Sequence, residues 1–521
     1  MRQTILSVVI EVQPAAAARL RTLIEALRYE ELHLPDDAPS YARLKKAVPL
    51  LHFMSMTVFD DDQFDPILVI ECNFDGAPGP FWGQLEALYS GALRDMIRCC
   101  ERPAGPLGDM YDGITAPDAR APIAPYLEAF TVEPAVFHQG NRGLLRDRVA
   151  REMALYDAIG EQLNTDRSLR GLDTATLQQR LRTMMAARFP WLNTPEPPRV
   201  SSAENIMDWV RLIGFAALVL FVLILPGLVL SLAFPPWLFA VLAAAGSLWG
   251  ANQLGWMRDP ALPAAIGNIN PVPIFAGAVA VTLGLCVLSA FSHRIWHGGA
   301  GCWVAVLAAC IASLLASLII VLAWIRYLEA RDTSNDAPKT DDRQLRALVE
   351  NEDQITQNHM ISIVHVKPGL LRAVLIRAGL RGLGLVLRIA ARDGYLASMR
   401  TIHFAHWGLV SNGSRLMFHS NFDGTWESYL DDFIEKAHGG LTLAWCNGVG
   451  FPPAKFLVLD GATHGKAFKN WARHSMAPSQ FWFSAYRDLT VNQIERNVRI
   501  ADGLRMTALS AAAAAEWARD L

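Results

Sequence analysis

Charge is what this 521-residue sequence is short of. Asp, Glu, Lys and Arg supply 19% of it, against 52% for the hydrophobic class, where a soluble domain carries about a quarter charged residues. A wholly soluble protein is the first class excluded. Neither sign dominates: 47 Lys and Arg stand against 50 Asp and Glu, a net charge of −3. The basic excess of a nucleic-acid-binding protein is missing, so no nucleic-acid partner is expected. Cysteine is sparse too, with seven residues and no C-x-x-C spacing. That excludes a disulfide scaffold and a zinc ribbon and suits a reducing compartment. There is no Gly-x-Ser-x-Gly elbow, Walker loop or His-Glu-x-x-His, so serine hydrolase, NTPase and zincin readings have no motif behind them. The start turns polar by Glu11, too soon for a secretory core, and roughly the first 200 residues are expected in the cytoplasm.

What the sequence does have is long apolar runs: Leu212–Phe234, Leu238–Leu254, Ile274–Phe291 and Cys302–Ile325. Each approaches or exceeds the ~18 residues of a bilayer-spanning helix. Trp209, Trp256, Trp296, Trp303 and Trp324 lie at the ends, as interfacial anchors do. Four spans are expected, or two if the first pair forms a re-entrant hairpin around Pro226. An even count puts both flanking regions on one side. Arg199, Arg211, Arg258, Arg326 and Arg331 then face the cytoplasm and Arg294 the outside, in keeping with the positive-inside rule. No Asp, Glu or Lys lies within the runs, so the block reads as an anchor rather than an ion pathway.

The flanking regions repeat one another. Leu51-His52-Phe53, a strand Ile67–Glu71 and Asn73-Phe74-Asp75-Gly76 match Ile402-His403-Phe404, a strand Leu416–His419 and Asn421-Phe422-Asp423-Gly424. Upstream, Ser7–Val12 matches Ser362–Val366, and helices are expected at Phe81–Arg98 and Thr425–Ala437. Later strands are expected within Ala129–Phe137 and Gln480–Ala485. The order strand, helix, strand, strand, helix, strand is the ferredoxin-like pattern.

Two such repeats in one chain resemble the dimeric α/β-barrel superfamily, and the two-repeat arrangement resembles the dye-decolourising peroxidases. The resemblance implies haem bound by the second repeat. The family's Gly-x-x-Asp-Gly turn is approached by Asn421-Phe422-Asp423-Gly424-Thr425, which lacks the first Gly and shifts the Phe. The run from Thr401 to Gly450 also resembles bacterial membrane proteins of unassigned function.

Aligning the repeats sets Glu11 opposite His365, Glu71 opposite His419 and His52 opposite His403. If the strands are in register, His365, His403 and His419 share one face. They would then supply ligands to haem or a transition metal, with Asp423 as a proton-transfer group. Each also has a plain use as a satisfied polar position on a sheet, and Asp75 and Asp423 as caps beside a Gly of positive φ. His406-Trp407 and Trp445-Cys446-Asn447-Gly448 suit a pocket lining or, as aromatic residues at strand ends, a core, and His464 and His474 suit an exposed face. From Lys367 to Arg392 there are six cationic residues and no acidic one. At ~100° per residue Arg377, Arg381, Arg388 and Arg392 form a stripe suited to lipid phosphates, or an ordinary solvated stripe on the repeat's first helix. Gly382 and Gly384 permit a break in that helix.

The expected protein is α+β, with two ferredoxin-like repeats forming a pseudo-symmetric α/β barrel and an inserted four-helix transmembrane block. The division is repeat 1–192, linker 193–206, membrane block 207–327, linker 328–356, repeat 357–506 and Ala-rich tail 507–521. It would sit in a bacterial-type inner membrane, both repeats cytoplasmic, with the lipid bilayer and a lipophilic small molecule or a protein as partners. Two functions remain: a haem- or metal-dependent, peroxidase-like oxidoreductase on a lipophilic substrate, or a non-catalytic binding and scaffold module.

Overall fold

The computed structural model describes residues 3–33, 40–233, 245, 248, 300–332, 341–350, 352, 356–390 and 399–521. The chain is α+β with antiparallel sheets. Strands β1 (Gln3–Glu11), β2 (Leu51–Phe59), β3 (Ile67–Asp75) and β4 (Thr131–Val132) belong to the first half, as does β5 (Val136–Gln139). The second half supplies β6 (Gln357–His365), β7 (Ile402–Val410), β8 (Arg415–Asp423), a short ribbon of β9 (Ala454–Lys455) and β10 (Leu459–Asp460), and β11 (Phe481–Ser484). The first sheet runs β11-β2-β3-β1-β4 and the second β5-β7-β8-β6. Each half therefore gives a strand to the other's sheet: β5 pairs with β7, and β11 with β2.

Period-two alternation explains the layering. Leu6, Val8 and Ile10 of β1 and Leu68, Ile70 and Cys72 of β3 face the helices Ala17–Leu32 and Pro78–Ile97. Leu416 and Phe418 of β8 and Trp407 of β7 face the helices Leu370–Ala390 and Trp426–Trp445. The opposite strand faces meet each other. At one end of this inner seam Phe59, Ile67, Val69, Ile361, Val410 and Met417 form one apolar cluster. At the other end Ile5, Phe53, Phe404 and Tyr486 belong to a second. Between them lies a polar belt.

The two halves repeat in fine detail. Ile5 pairs with Asn73 as His359 pairs with Asn421, and Glu11 with Ile67 as His365 with Arg415. The irregularity between Leu51 and Phe53 recurs between Ile402 and Phe404, so His52 and His403 are the extra residues of equivalent bulges. Even the kinks in the following helices, at Tyr89 and Ala437, occupy matching places. The expected helix at Thr425–Ala437 ended at that kink, whereas the helix continues to Trp445.

A further core joins the halves. Leu155, Ile159 and Leu181, from the helices Arg146–Thr165 and Thr174–Arg188, pack with Ile500, Leu504 and Trp517. Trp517 Nε1 donates to Ile500 O at 3.2 Å, which makes the Ala-rich tail part of the packed body. The sequence divisions at 192 and 357 thus do not coincide with packing units.

Two helices, Ser202–Ala233 and Ala300–Ala330, contain stretches long and apolar enough to cross a membrane, Ser202–Pro226 and Cys310–Ala330. They correspond to the first and fourth apolar runs; the second and third fall almost wholly outside the described residues. Pro226 removes a backbone donor inside the first helix. The hydroxyls of Ser313 and Ser317 donate to Leu223 O at 3.1 and 2.9 Å, supplying the disturbed turn from the neighbouring helix.

Candidate functional site

The polar belt is built around Glu71, which is 0% exposed. Because β3 is central and its inner face meets the second sheet, the carboxylate can be reached from both halves. Asn73 Nδ2 and Asn421 Nδ2 donate to Oε1 at 2.7 and 2.9 Å. These are the Asn residues of the two Asn-Phe-Asp-Gly copies, converging on one acceptor. Ser55 Oγ donates to Oε2 at 3.1 Å, and His359 Nε2 lies 3.0 Å from the same oxygen. Burial alone pushes the carboxyl up. The hydrogen bond from His359 and the surrounding imidazoles of His419, His359 and His406 outweigh it and hold Glu71 well below the usual carboxylate range.

Three histidines surround this carboxylate, and the sequence pointed to only one as a ligand. His406 stacks on His419 with ring centroids 4.5 Å apart, and its Nε2 lies 2.9 Å from Ser7 Oγ. Burial pushes His406 down to about 4, and His419 well below its ordinary value, so both are neutral at pH 7. His359 continues outward: its Nδ1 lies 3.1 Å from Ser479 Oγ, which accepts from Thr57 Oγ1 at 2.9 Å. Ser479 and His359 line a cavity of about 150 Å³ with Arg28, Tyr41, Trp482 and Arg487.

The expected ligand set does not assemble. His365 pairs with Arg415, four residues along β8 from His419, which is about 13 Å at strand rise. Its side chain is 31% exposed and lies 3.3 Å from Asp61. His403 sits at the opposite end of the seam, in its bulge, with Nε2 2.8 Å from Asp423 Oδ1 and 3.2 Å from Gln357 Nε2. Among the described residues, no group of three or more His, Cys, Asp and Glu is placed to hold a metal ion. Haem fits no better at these positions. An axial ligand needs an imidazole nitrogen facing a slot for the macrocycle; His403 Nε2 is engaged by Asp423, and its Nδ1, though unpartnered, is buried in a ring only 1% exposed. His419 has both nitrogens unpartnered but lies 0% exposed between two sheets, stacked on His406.

Asp423 is placed as a bracket. Its Oδ2 accepts from Val491 N at 2.8 Å, at the start of the helix Val491–Arg505, while Oδ1 faces His403. The helix following the motif is capped by Thr425 instead, whose side chain accepts from Ser428 N. Gly76 and Gly424 take the expected positive φ, 95° and 80°.

The Arg stripe is divided. Arg377 and Arg381 are exposed, Arg392 lies outside the described residues, and Arg388 turns inward. Arg388 Nε is 2.8 Å from Asp208 Oδ1 and its Nη2 is 3.0 Å from Glu204 Oε1, on the first apolar helix. Two acidic residues at the root of that helix claim it, so it is not free for lipid phosphate. The helix itself is unbroken from Leu370 to Ala390. Gly382 serves close packing, since a Cβ there would come within 3.1 Å of the Phe215 ring. At the other end Arg372 and Lys367 bind Asp332, just beyond the second apolar helix. A groove of about 500 Å³ lies beside the stripe, lined by Arg211, Arg381, Arg388, Glu133, Ile5 and Leu385 among others.

Compared with family models, curated proteins and solved structures, the chain matches none.

Proposed function

We propose that the protein is a membrane-anchored binding module that holds the anionic headgroup of a lipid at the root of its first span. In this reading the four apolar runs cross the bilayer, both repeats lie on the cytoplasmic side, and the strand-exchanged sheets are a pseudo-symmetric α/β barrel of two ferredoxin-like repeats. The helix Leu370–Ala390 rests against the membrane. Leu370 and Val374, 78% and 54% exposed, share a stripe with Arg377 and Arg381. Apolar side chains beside arginines suit an interfacial helix.

One observation carries the reading: the 500 Å³ groove joins Arg211 of the first apolar helix to Arg381 of the surface helix. Arg211 immediately precedes the apolar run, at the depth where headgroups lie. Among the described residues Arg381 has no carboxylate partner and Arg211 has the distant Asp208 Oδ1 at 3.8 Å, so a phosphate between the two guanidiniums would answer the first charge and compete for the second. The haem or metal oxidoreductase has no comparable arrangement behind it.

The test is lipid retention. Full-length protein extracted from membranes of mixed composition should keep anionic phospholipid through purification, seen by native mass spectrometry. Arg211→Ala with Arg381→Ala should lower the bound amount several-fold while leaving membrane insertion intact. Equal retention of zwitterionic and anionic lipid would defeat the proposal. A Soret band or stoichiometric iron in the same preparation would return the oxidoreductase to first place.

A further inference from the structure

The cavity at the other face of the body presents a different chemistry. Ser479 and His359 line it, and Glu71 stands behind His359, so that the chain Ser479–His359–Glu71 is drawn from the segment preceding β11, from β6 and from β3. No local motif announces it, because the three residues are separated by 120 and 288 positions.

Hydrogen-bond logic fixes the direction of the chain. Glu71 is an ionised carboxylate and can only accept, so His359 donates from Nε2, and in the neutral imidazole Nδ1 is then the acceptor. Thr57 Oγ1 donates to Ser479 Oγ, so the serine's own proton is directed to His359 Nδ1 at 3.1 Å. That is a nucleophile against a base, with the base held by a third group. The third group is unusually well fixed, since Ser55, Asn73 and Asn421 occupy its remaining acceptor positions. Trp482 Nε1, which donates to Asn421 Oδ1 at 2.9 Å, fixes that amide in turn.

Across the cavity stand Arg28 and Arg487. Among the described residues neither has a carboxylate partner. Glu352, the acidic residue among the described lining, is bound by Arg473. A cavity of about 150 Å³ admits the acyl part of an ester, a few carbons or roughly the volume of benzene, and leaves the alcohol part outside.

We propose that Ser479, His359 and Glu71 form a nucleophilic relay that hydrolyses a small carboxylic ester bearing a negative charge, with Arg28 and Arg487 holding that charge. Ser479 Oγ bonds to the ester carbonyl carbon as its proton passes to His359 Nδ1. The bond from carbon to the alcohol oxygen then breaks, and His359 returns the proton to the departing alkoxide. Water attacks the acyl-serine, giving its proton to His359, and the carboxylic acid leaves as Ser479 is restored. Ester and water become acid and alcohol, with no further reactant. The relay is complete only when the segment leading into β11 is docked on the first sheet, so the strand exchange assembles the site.

The experiment uses the full chain in detergent. A fluorophosphonate probe followed by peptide mass spectrometry should modify Ser479, and His359→Gln should reduce the labelling at least tenfold. Mono-p-nitrophenyl succinate should be hydrolysed at least tenfold faster than p-nitrophenyl acetate. Ser479→Ala should lower that rate at least 100-fold, as loss of a nucleophile does, and Arg487→Ala should raise KM for the succinate ester at least fivefold and shrink its advantage over the acetate. Ser479 left unlabelled in the wild-type protein, or equal turnover by wild type and Ser479→Ala, would overturn the proposal and leave a buried hydrogen-bond network. The labelling arm uses the wild-type protein, so a variant that fails to fold cannot obscure the result.

Discussion

Asp75 and Asp423 are the same bracket built twice. Asp75 Oδ1 faces His52 Nε2 at 2.9 Å and its Oδ2 accepts from Arg146 N at 2.7 Å. Asp423 makes the matching pair with His403 at 2.8 Å and Val491 N at 2.8 Å. In each case the helix that is held follows a strand given to the other sheet. The aspartates therefore fasten the exchanged segments to their own repeats. Replacing either by Ala takes the carboxylate from a buried imidazole and leaves a helix N–H without its partner, at about 1–3 kcal/mol. Thermal unfolding should show comparable losses for Asp75→Ala and Asp423→Ala. A large loss for one copy alone would assign that copy a different role.

Acid should weaken the fold through its buried histidines. Burial pushes His138 and His406 down to about 4, and His419 well below its ordinary value. In the unfolded chain a histidine takes a proton near pH 6.5. Between those values the unfolded state binds more protons, so stability rises with pH. The contribution is complete above pH 6.5 and is lost as pH falls toward 4. For His138 and His406 it is on the order of 3 kcal/mol each. Glu71 is depressed in the fold, so its share is present above the unfolded carboxyl pKa and goes only in stronger acid. Denaturant midpoints from pH 7.5 to 4.5 should fall steadily, and His138→Leu should flatten the curve by one proton's worth. A level profile over that range would contradict the neutral, buried state of these rings.

The root of the first apolar helix should be the most charge-sensitive part of the surface. Asp208 takes Arg142 Nη2 at 2.7 Å and Arg388 Nε at 2.8 Å, and is itself buried. Asp208→Ala would leave Arg142 and Arg388 to share Glu204 alone, whose Oε1 lies 2.6 and 3.0 Å from them, and losing the charged hydrogen bonds of Asp208 costs about 1.5–3 kcal/mol. Limited proteolysis should then cut near residues 194–201 at much lower protease concentration. Arg388→Ala, which leaves Arg142 to answer Asp208, should be milder. An unchanged digestion pattern for Asp208→Ala would mean the helix is held by its apolar contacts alone.

The duplicated register was legible because Asn-Phe-Asp-Gly recurs at the end of the strand that follows His52 and His403, and the alignment of Glu71 with His419, each two residues before its Asn, follows from it. The site around Glu71 was not. The second repeat's first strand was read from Ser362, whereas it begins at Gln357, and that difference hides His359. Ser479 lies in an irregular Pro-Ser stretch with no periodicity to mark it. The histidine trio failed because alternation fixes the face of a strand, not the position along it. His365, His403 and His419 point inward alike but are spread along the seam. Strand exchange leaves no local trace either, since β5 and β11 have the same alternation whichever sheet receives them.

That exchange makes a prediction about the chain as two pieces. The first half without β11 exposes the edge of β2, and Glu71 loses Asn421 and His359. The second half without β5 exposes β7, and its helix Val491–Arg505 loses the partners Leu155 and Ile159. Open strand edges and a bare inner face make each half prone to aggregate. Coding the chain as two genes split between the second and third apolar runs leaves two runs on each piece. Expressed singly, neither half should give a monodisperse species with cooperative unfolding; expressed together, a tag on one should recover the other at one to one. The second-sheet substitution Asn421→Leu should weaken that recovery, because it removes a donor that reaches Glu71 across the seam. A half that folds alone would mean each sheet is satisfied by its own repeat, and the exchanged strands would then be a consequence of tethering rather than what joins the halves.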